Sequence, residues 1–476
     1  MTIRTDWRAL VLLGLTLSGC AQLNGRPDDA TAALAPTAWT RTDASLSPTT
    51  TDPALLAAWW HQFGDTTLEQ LIADALQASP DLRSAQAKLR QSRASGNLAD
   101  ANLLPSVGVS AGVTRSRSGT DAGGSDVART TYKAGFDASW EPSIFGGLRD
   151  AADAAHADIA AVSATLDSTR ASLAAEVALN YVALRNAQQR LGIARSNVDS
   201  QAETLQLTSW RAQAGLASAL EVEQARTNLE QSRASIPSLE VTRAQAENHL
   251  ALLTGRVPGS LRELLADAKP LPTAPTEIAV GIPADTLRQR PDIRAAENTL
   301  RAEIARTAER EADRYPSLTL SGTFGWQAFS AAALGGSGSL VRTLAASVAG
   351  TLFDGGRISA RIEAQNAVQE QARVAYEKSV LTALEDVENA LTAYAVGHDR
   401  VTARSNAMNA ARNANQLARM QYQAGTADFQ TVLDTDRTRL TAEDSLASAQ
   451  ADQLTAVIQL YKALGGGWQS APAVTP

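Results

Sequence analysis

Pro80-Asp81-Leu82-Arg83-Ser84-Ala85 returns as Pro291-Asp292-Ile293-Arg294-Ala295-Ala296, and Pro105-Ser106-Val107 returns as Pro316-Ser317-Leu318 at the same offset of 211 residues. Phe145-Gly146-Gly147-Leu148-Arg149 is echoed by Phe353-Asp354-Gly355-Gly356-Arg357, and Ala214-Gly215 by Ala424-Gly425. Collinear matches at a spacing near 210 in a chain of 476 residues mean two copies of one domain, not a solenoid of short units. Any fold for this chain must be built from two like halves.

Each copy follows one plan. A helix over residues 80–102, and again over 291–314, stops ahead of a proline that cannot continue it. Strand patterns come next. Tyr132, Ala134, Phe136, Ala138 and Trp140 alternate with Lys133, Gly135, Asp137, Ser139 and Glu141, one apolar face against one polar face. Leu318, Leu320, Phe324 and Trp326 alternate likewise with Ser317, Thr319, Ser321 and Thr323. Val107, Val109, Ala111 and Val113 start another strand, and Leu344, Ala346, Val348 and Leu352 line a fourth. Gly- and Ser-rich stretches at 116–125 and 335–339 read as hairpin loops, so each copy supplies one hairpin.

After each hairpin, residues 148–214 and 357–424 contain no proline and one glycine apiece, Gly192 and Gly397. Each predicts a single helix about 100 Å long. Val177, Leu184, Leu191 and Val198 step in sevens, as do Val387, Tyr394, Val401 and Met408, the seam of a coiled coil. The returning segments supply partners through Val222, Leu229, Ile236 and Leu250, and through Val432, Leu446 and Leu460. Arg243, Arg439 and Gln453 interrupt that step, and Pro237 is expected to bend or break the first returning helix. Shorter separate helices around a compact core are the alternative. With 5% aromatic residues the core leans on Ala, Leu and Val, and Ala lets helix axes approach closely.

Four two-faced strands cannot close a barrel, since even small membrane barrels need about eight, and open edges in lipid leave costly unpaired amides. The protomer must therefore oligomerise. Three copies give twelve strands, whose polar faces, with Lys133, Asp137, Glu141 and Thr319, line a wet lumen that the long helices extend. Composition narrows the field further. A mean hydropathy of -0.16 excludes a bundle of membrane-spanning helices, a net charge of -7 argues against a nucleic-acid binder, and one cysteine excludes disulfides and multi-thiolate metal sites.

At the N-terminus, Arg4 and Arg8 precede an apolar stretch at 9–17 that is too brief to span a bilayer and reads as a secretory signal. Leu17-Ser18-Gly19-Cys20 completes a bacterial lipobox, so cleavage leaves Cys20 to carry diacylglycerol and an acyl chain. Several chains, at about 0.8 kcal/mol per buried methylene, make a firm anchor. A buried cysteine in an ordinary signal peptide is the other reading. Ala21 rather than Asp after the cysteine fits passage to the outer membrane.

Lipobox Cys20, the paired Pro-Asp-Leu/Ile-Arg motifs, Leu/Tyr-Pro-Ser at strand entry, Phe353-Asp354-Gly355-Gly356, the two Ala-Gly turns and the closing Tyr461-Lys462-Ala463-Leu464-Gly465-Gly466-Gly467-Trp468 together resemble the TolC-like outer-membrane efflux proteins. The resemblance is to the lipoprotein branch typified by OprM and NodT. It implies an α+β channel-tunnel with duplicated strand hairpins and long coiled-coil helices. Four β-strands per protomer give a 12-stranded barrel, continued by an α-helical periplasmic barrel, in a homotrimer. It implies an outer-membrane, lipid-anchored protein extending into the periplasm, docked to a membrane-fusion adaptor and an inner-membrane RND pump. The implied function is passive export of drugs and other toxic small molecules, with selection left to the pump. A non-conducting structural or adhesive lipoprotein is the alternative; the polar strand faces favour the channel. One departure stands out. Trp140-Glu141-Pro142-Ser143-Ile144-Phe145-Gly146 has Pro and Ser where the family carries an apolar residue and Asp, so that Asp's role is not transferred to the first copy.

The chain divides into a signal peptide at 1–19, a lipid-anchored tether at 20–65, repeats at 66–276 and 277–464, and a tail at 465–476. Gly215 and Gly425 end the long helices in left-handed caps, and by resemblance mark the periplasmic tips. Near the second tip stand Asp428, Asp434, Asp436 and Arg437, and the spacing of Asp434 and Arg437 matches the family's constriction residues. Threefold symmetry would gather their charges into a gate; a solvated helix face is the plain alternative. Gln430 occupies a place where related channels carry an apolar residue. His61, His156, His249 and His398 are scattered and no nucleophile constellation is present, so no enzyme, metal or cofactor is expected beyond the lipid on Cys20. Trp39, Trp59, Trp60 and Trp468 flank the repeats and are expected to pack around the tube's girdle.

Overall fold

The computed structural model describes residues 36, 38–40, 46–47, 53–117, 128–275, 278–280 and 283–468. The signal peptide, Cys20 and the tail beyond residue 468 lie outside them. The duplication is exact in the lengths of three helices in each copy. Helix α3 (Pro80–Ala101) matches α7 (Pro291–Ala312) at 22 residues each, α4 (Gly147–Gln213) matches α8 (Arg357–Gln423) at 67, and α5 (Ala219–Leu253) matches α9 (Phe429–Ala463) at 35. Both short helices start on a proline at the first turn, where a missing N–H costs nothing.

Strands β2 (Ser106–Ser116), β3 (Arg129–Trp140), β5 (Ser317–Ala328) and β6 (Leu340–Ala349) form one antiparallel sheet in the order β2-β3-β5-β6. The two hairpins meet at β3 and β5, so the sheet joins the halves and leaves β2 and β6 as its edges. Short strands β1 (Leu46–Ser47) and β4 (Ile278–Ala279) pair in parallel, tying the N-terminal segment to the linker between repeats.

The turn from sheet to long helix uses glycine in the left-handed region as the N-cap, Gly146 at φ 93° and Gly356 at φ 87°. The two copies differ in what satisfies the first amides. Asp354 accepts hydrogen bonds from Ile358 N at 2.7 Å and Gly356 N at 2.8 Å, and these hold its carboxyl below the usual range. In the first copy Ile144 stands ahead of the cap where Asp354 stands, and Ser143 Oγ is buried without a hydrogen-bond partner. Because the folded form lowers the Asp354 pKa, its stabilisation is complete above the ordinary value of 3.8 and fades as the pH falls below it. Amide exchange at Ile358 should therefore be slower in the wild type than in Asp354→Ala at neutral pH. The two should converge on acidification; a gap that persists in acid would contradict the assignment.

Helix α4 packs on α3, α5, α7 and α9, while α8 packs on α7 and α9. The sevenfold seam holds for Val177, Leu184 and Leu191, all buried, and then moves. Val198 is half-buried, and the buried stripe continues through Ala194, Asn197, Gln201 and Thr208. Val401 and Met408 are likewise only half-buried, with Ala411, Asn415, Ala418 and Tyr422 taking the seam. A nearly straight helix drifts by about 20° per heptad, which carries the contact line off a strict seven-residue step.

Pro237 does not break the returning helix: α5 runs unbroken from Ala219 to Leu253. Pro237 lies at an exposed position between two anchors on α4, the Asn197–Ser232 hydrogen bond at 3.1 Å and the Arg195–Glu240 ion pair at 3.0 Å. Those anchors offset the single backbone bond that proline removes.

The expected tether is too long at its C-terminal end. Residues 53–65 belong to the folded body, as helix α1 (Pro53–Ala57), a 3-10 turn (Trp59–Phe63) and Asp65, the N-cap of α2 (Thr66–Ala78). Asp65 accepts from Thr67 N at 2.9 Å and Leu68 N at 3.1 Å, and from the Tyr181 hydroxyl at 2.6 Å. Burial and that hydrogen bond push the Tyr181 hydroxyl up to about 12. Trp59 stacks on Tyr461, with ring centroids 5.5 Å apart at 7°. This core of Trp59, Leu68, Leu71, Ile72, Tyr181, Leu184 and Tyr461 sits where residues 56–75 meet the last turns of α9. Trp39 and Trp60 are also buried there, and the Trp468 ring lies 5.2 Å from the Arg294 guanidinium. A short helix, α6 (Pro283–Gln289), leads into the second repeat.

Candidate functional site

The sheet sorts its residues by face. Direct cross-strand partners share a face, so Val109, Phe136, Phe324 and Arg342 line up on one side, as do Val107, Ala138, Gly322 and Leu344. The other side carries Ser110, Gly135, Gly325 and Val341, then Gly108, Asp137, Thr323 and Thr343. The apolar side is open to the surroundings: Val109 is 80% exposed and Leu344 89%. Among the described residues nothing covers this wall, which is the arrangement of a sheet with lipid on one face and water on the other. Among the described residues no helix is long and apolar enough to cross a membrane. On the polar side Ser110 Oγ donates to Asp137 Oδ2 at 2.5 Å. Gly135 and Gly325 face each other so closely that a Cβ on Gly135 would lie 2.7 Å from the Gly325 Cα.

The tips are alike in both copies. Gly215 at φ 76° and Gly425 at φ 75° each close a long helix. Leu216 N donates to Arg211 O at 2.8 Å and Thr426 N to Gln421 O at 2.9 Å, the six-to-one bond of a Schellman turn. The returning helices begin on capping side chains. Ser218 and Glu221 form a reciprocal box, and Asp428 accepts from Thr431 Oγ1 at 2.5 Å and Thr431 N at 2.8 Å. Those two bonds hold the Asp428 carboxyl below its usual range. Asp428 therefore caps a helix.

The remaining charged residues near the tip part company. Asp434 and Arg437 are exposed one turn apart on α9, and Asp434 accepts a hydrogen bond from Gln430 Nε2 at 3.0 Å. No ion pair joins them within the protomer among the described residues. Asp436, grouped with them from sequence, turns the other way: its side chain is 7% exposed and pairs with Arg439 at 3.2 Å and Arg419 at 3.3 Å. It is a bond between α8 and α9 inside the protomer, and no second copy can reach it. Helical geometry explains the split, because residues two apart lie on nearly opposite faces.

Sequence reasoning missed the polar network around Asp436. Arg439 also donates to Asn197 Oδ1 at 3.0 Å and to Glu443 at 3.0 Å, and Arg190 grips Asp444 through two nitrogens at 2.6 and 3.0 Å, tying α9 to α4. The signal that marks it is the run of polar residues replacing Leu and Val in the seam beyond Leu191. His61, His156 and His249 each meet one surface carboxylate, Glu69, Asp100 and Glu176 respectively. No group of metal-ligating residues occurs among the described residues.

An open, two-faced sheet set on a pair of long helical hairpins defines a channel-forming protein of the outer membrane. A family model described as outer membrane efflux protein matches residues 71–256 and 282–466, one stretch in each copy, and the chain belongs to that family. It is 34% identical over 470 residues to the pyoverdine export outer membrane protein OpmQ of Pseudomonas putida, covering 97% of each chain. It is 31% identical to the toluene efflux pump outer membrane protein TtgF of Pseudomonas putida, over 87% of this chain and 86% of that one. Among solved structures, the outer-membrane channel OprN superposes with a TM-score of 0.86 at 34% identity, over 91% of this chain and 98% of that one. The protein is an outer-membrane efflux channel component, and family members are channel proteins, not enzymes.

Proposed function

We propose that this protein forms a homotrimeric duct that passively carries small molecules out of the cell, delivered by an inner-membrane RND pump through a periplasmic adaptor, with Cys20 bearing the lipid anchor. The observation that carries this reading is the sheet. Its outward face is bare and apolar, its inward face is polar, and its edges β2 and β6 have no partner strand among the described residues. In lipid such edges cost several kcal/mol per unpaired amide, and pairing β6 of one copy with β2 of the next removes that cost. The relatives' names support small-molecule cargo: one is a pyoverdine export protein and another belongs to a toluene efflux pump. The channel itself supplies no energy; it lowers a barrier while the pump drives the flow.

Asp434 and Arg437 are the gate in this reading. Both are exposed with no ion partner among the described residues of their own protomer, so a threefold axis would bring the Asp434 of one copy toward the Arg437 of another. The double variant Asp434→Ala with Arg437→Ala should raise single-channel conductance in planar bilayers and sensitise cells to large antibiotics. Unchanged conductance removes the gate assignment. A purified protein that conducts no ions at all removes the channel reading with it.

A further inference from the structure

We propose that the outer wall of the assembled barrel holds a binding site for the phosphate of a membrane lipid, built across each seam between protomers by Arg342 of one copy and Arg115 of the next. The inference rests on the trimeric duct proposed above. Every charged residue that the described strands place on the outward face is an arginine. Arg115, with Arg117 just past the end of β2, lies on one edge strand, and Arg342 lies on the other. Arg342 is on this face by direct geometry, since its guanidinium lies 5.6 Å from the ring of its cross-strand partner Phe324. Arg115 and Arg342 are exposed, and neither has a carboxylate partner among the described residues.

The internal duplication fixes how the edges meet. Within the protomer, β3 pairs with β5 so that Ala138 faces Gly322. Ala138 corresponds to Val348 in the second copy and Gly322 to Ala111 in the first, by the offsets of 210 and 211 that relate the two halves. Repeating the joint between protomers sets Val348 opposite Ala111 of the neighbour. Six residues further along, Arg342 stands opposite the neighbour's Arg117 with Arg115 diagonal to it. The seam so formed brings Arg342 near the neighbour's Arg115, and among the described residues no acidic residue lies on that face of the strands. Like charges opposite one another across a sheet repel, and guanidinium groups that cannot find a carboxylate take phosphate in paired, charge-assisted bonds.

The level along the wall selects the occupant. Residues 115–117 lie at the end of β2 remote from the helices, with Arg115 diagonal to Tyr132, whose amphipathic ring suits a headgroup boundary. Below them Val113, Leu344, Ala346 and Val348 offer a bare apolar strip for acyl chains. A phosphorylated lipid of the outer leaflet satisfies both halves of the site; free phosphate satisfies one.

Native mass spectrometry of the full-length protein in detergent, titrated with lipid A, tests this. The wild-type trimer should retain up to three lipid A molecules. Arg342→Gln and Arg115→Gln should each weaken retention by about tenfold or more, Arg342→Lys by less, and Lys133→Gln on the lumen face not at all. Dephosphorylated lipid A should not be held, and millimolar inorganic phosphate should not displace the lipid. Equal retention by the Gln variants, or equal retention of the dephosphorylated lipid, overturns the site, and displacement by inorganic phosphate overturns the lipid assignment. A monomer mass for the wild type overturns the trimer itself, and the trimer mass of each variant reports that it has folded.

Discussion

Asp436→Ala should loosen the Gly425 end of the helix pair α8 and α9 by about 1–3 kcal/mol, while Asp434→Ala, two residues away, should change stability by less than about 0.5 kcal/mol. The difference follows from burial. Removing Asp436 leaves Arg439, whose side chain is 16% exposed, and Arg419 without their shared carboxylate. Glu443 still pairs with Arg439, so the cost is that of losing one buried, shared carboxylate, more than the loss of a solvated one. Asp436→Asn should fall between, since it keeps the acceptor and drops the charge. Amide exchange over residues 412–440 in the detergent-solubilised protein reads the effect locally. If Asp434→Ala speeds exchange as much as Asp436→Ala, the two residues do not differ as the structure places them.

The second large effect is expected where Trp59 meets Tyr461. Trp59 is fully buried, stacked on Tyr461 and edge-on to Trp60 at 5.8 Å and Phe63 at 5.7 Å. Trp59→Ala should cost about 3–5 kcal/mol, the usual range for emptying a packed indole site. Gly466→Ala should act on the same contact from the other side. A Cβ there would lie 2.8 Å from Leu56 O and 2.9 Å from Tyr461 O, both backbone atoms that cannot swing aside. It would disturb two clasps, Gly466 N to Tyr461 O at 2.9 Å and Gly467 N to Leu56 O at 3.1 Å. Limited proteolysis should then cut at residues 53–65 in both variants while sparing the long helices. Resistance equal to the wild type would show that this clasp does not hold the N-terminal segment in place.

Much of this architecture was legible because repetition constrains strongly. The offset of 211 placed both short helices, and the alternation from Tyr132 to Trp140 placed a strand and its faces. What escaped was everything set by contacts between distant segments. The buried 3-10 turn at Trp59 carries no periodic signal; it is ordered by Tyr461, some 400 residues on, which composition alone reads as a tether. Pro237 is a helix breaker by local rules and is overruled by two anchors on α4. Val198 and Met408 fit a seven-residue rule that a straight helix of 67 residues does not keep. At the tip, the acidic residues were found but not their directions. Only the positions of α4 and α8 show that Asp436 turns inward while Asp434 does not.

The equality of the paired helices, 67 with 67 and 35 with 35, sets a rule for how such chains can change in length. Tyr422 on α8 packs with Leu205 on α4 and Ala225 on α5, so the two hairpin ends rest side by side. Seven residues added to one hairpin alone would lift its end by about 10 Å and leave a notch in the rim. Insertions and deletions tolerated in this lineage should therefore come in matched sets, in both arms of both hairpins, as two legs of a ladder must be cut together.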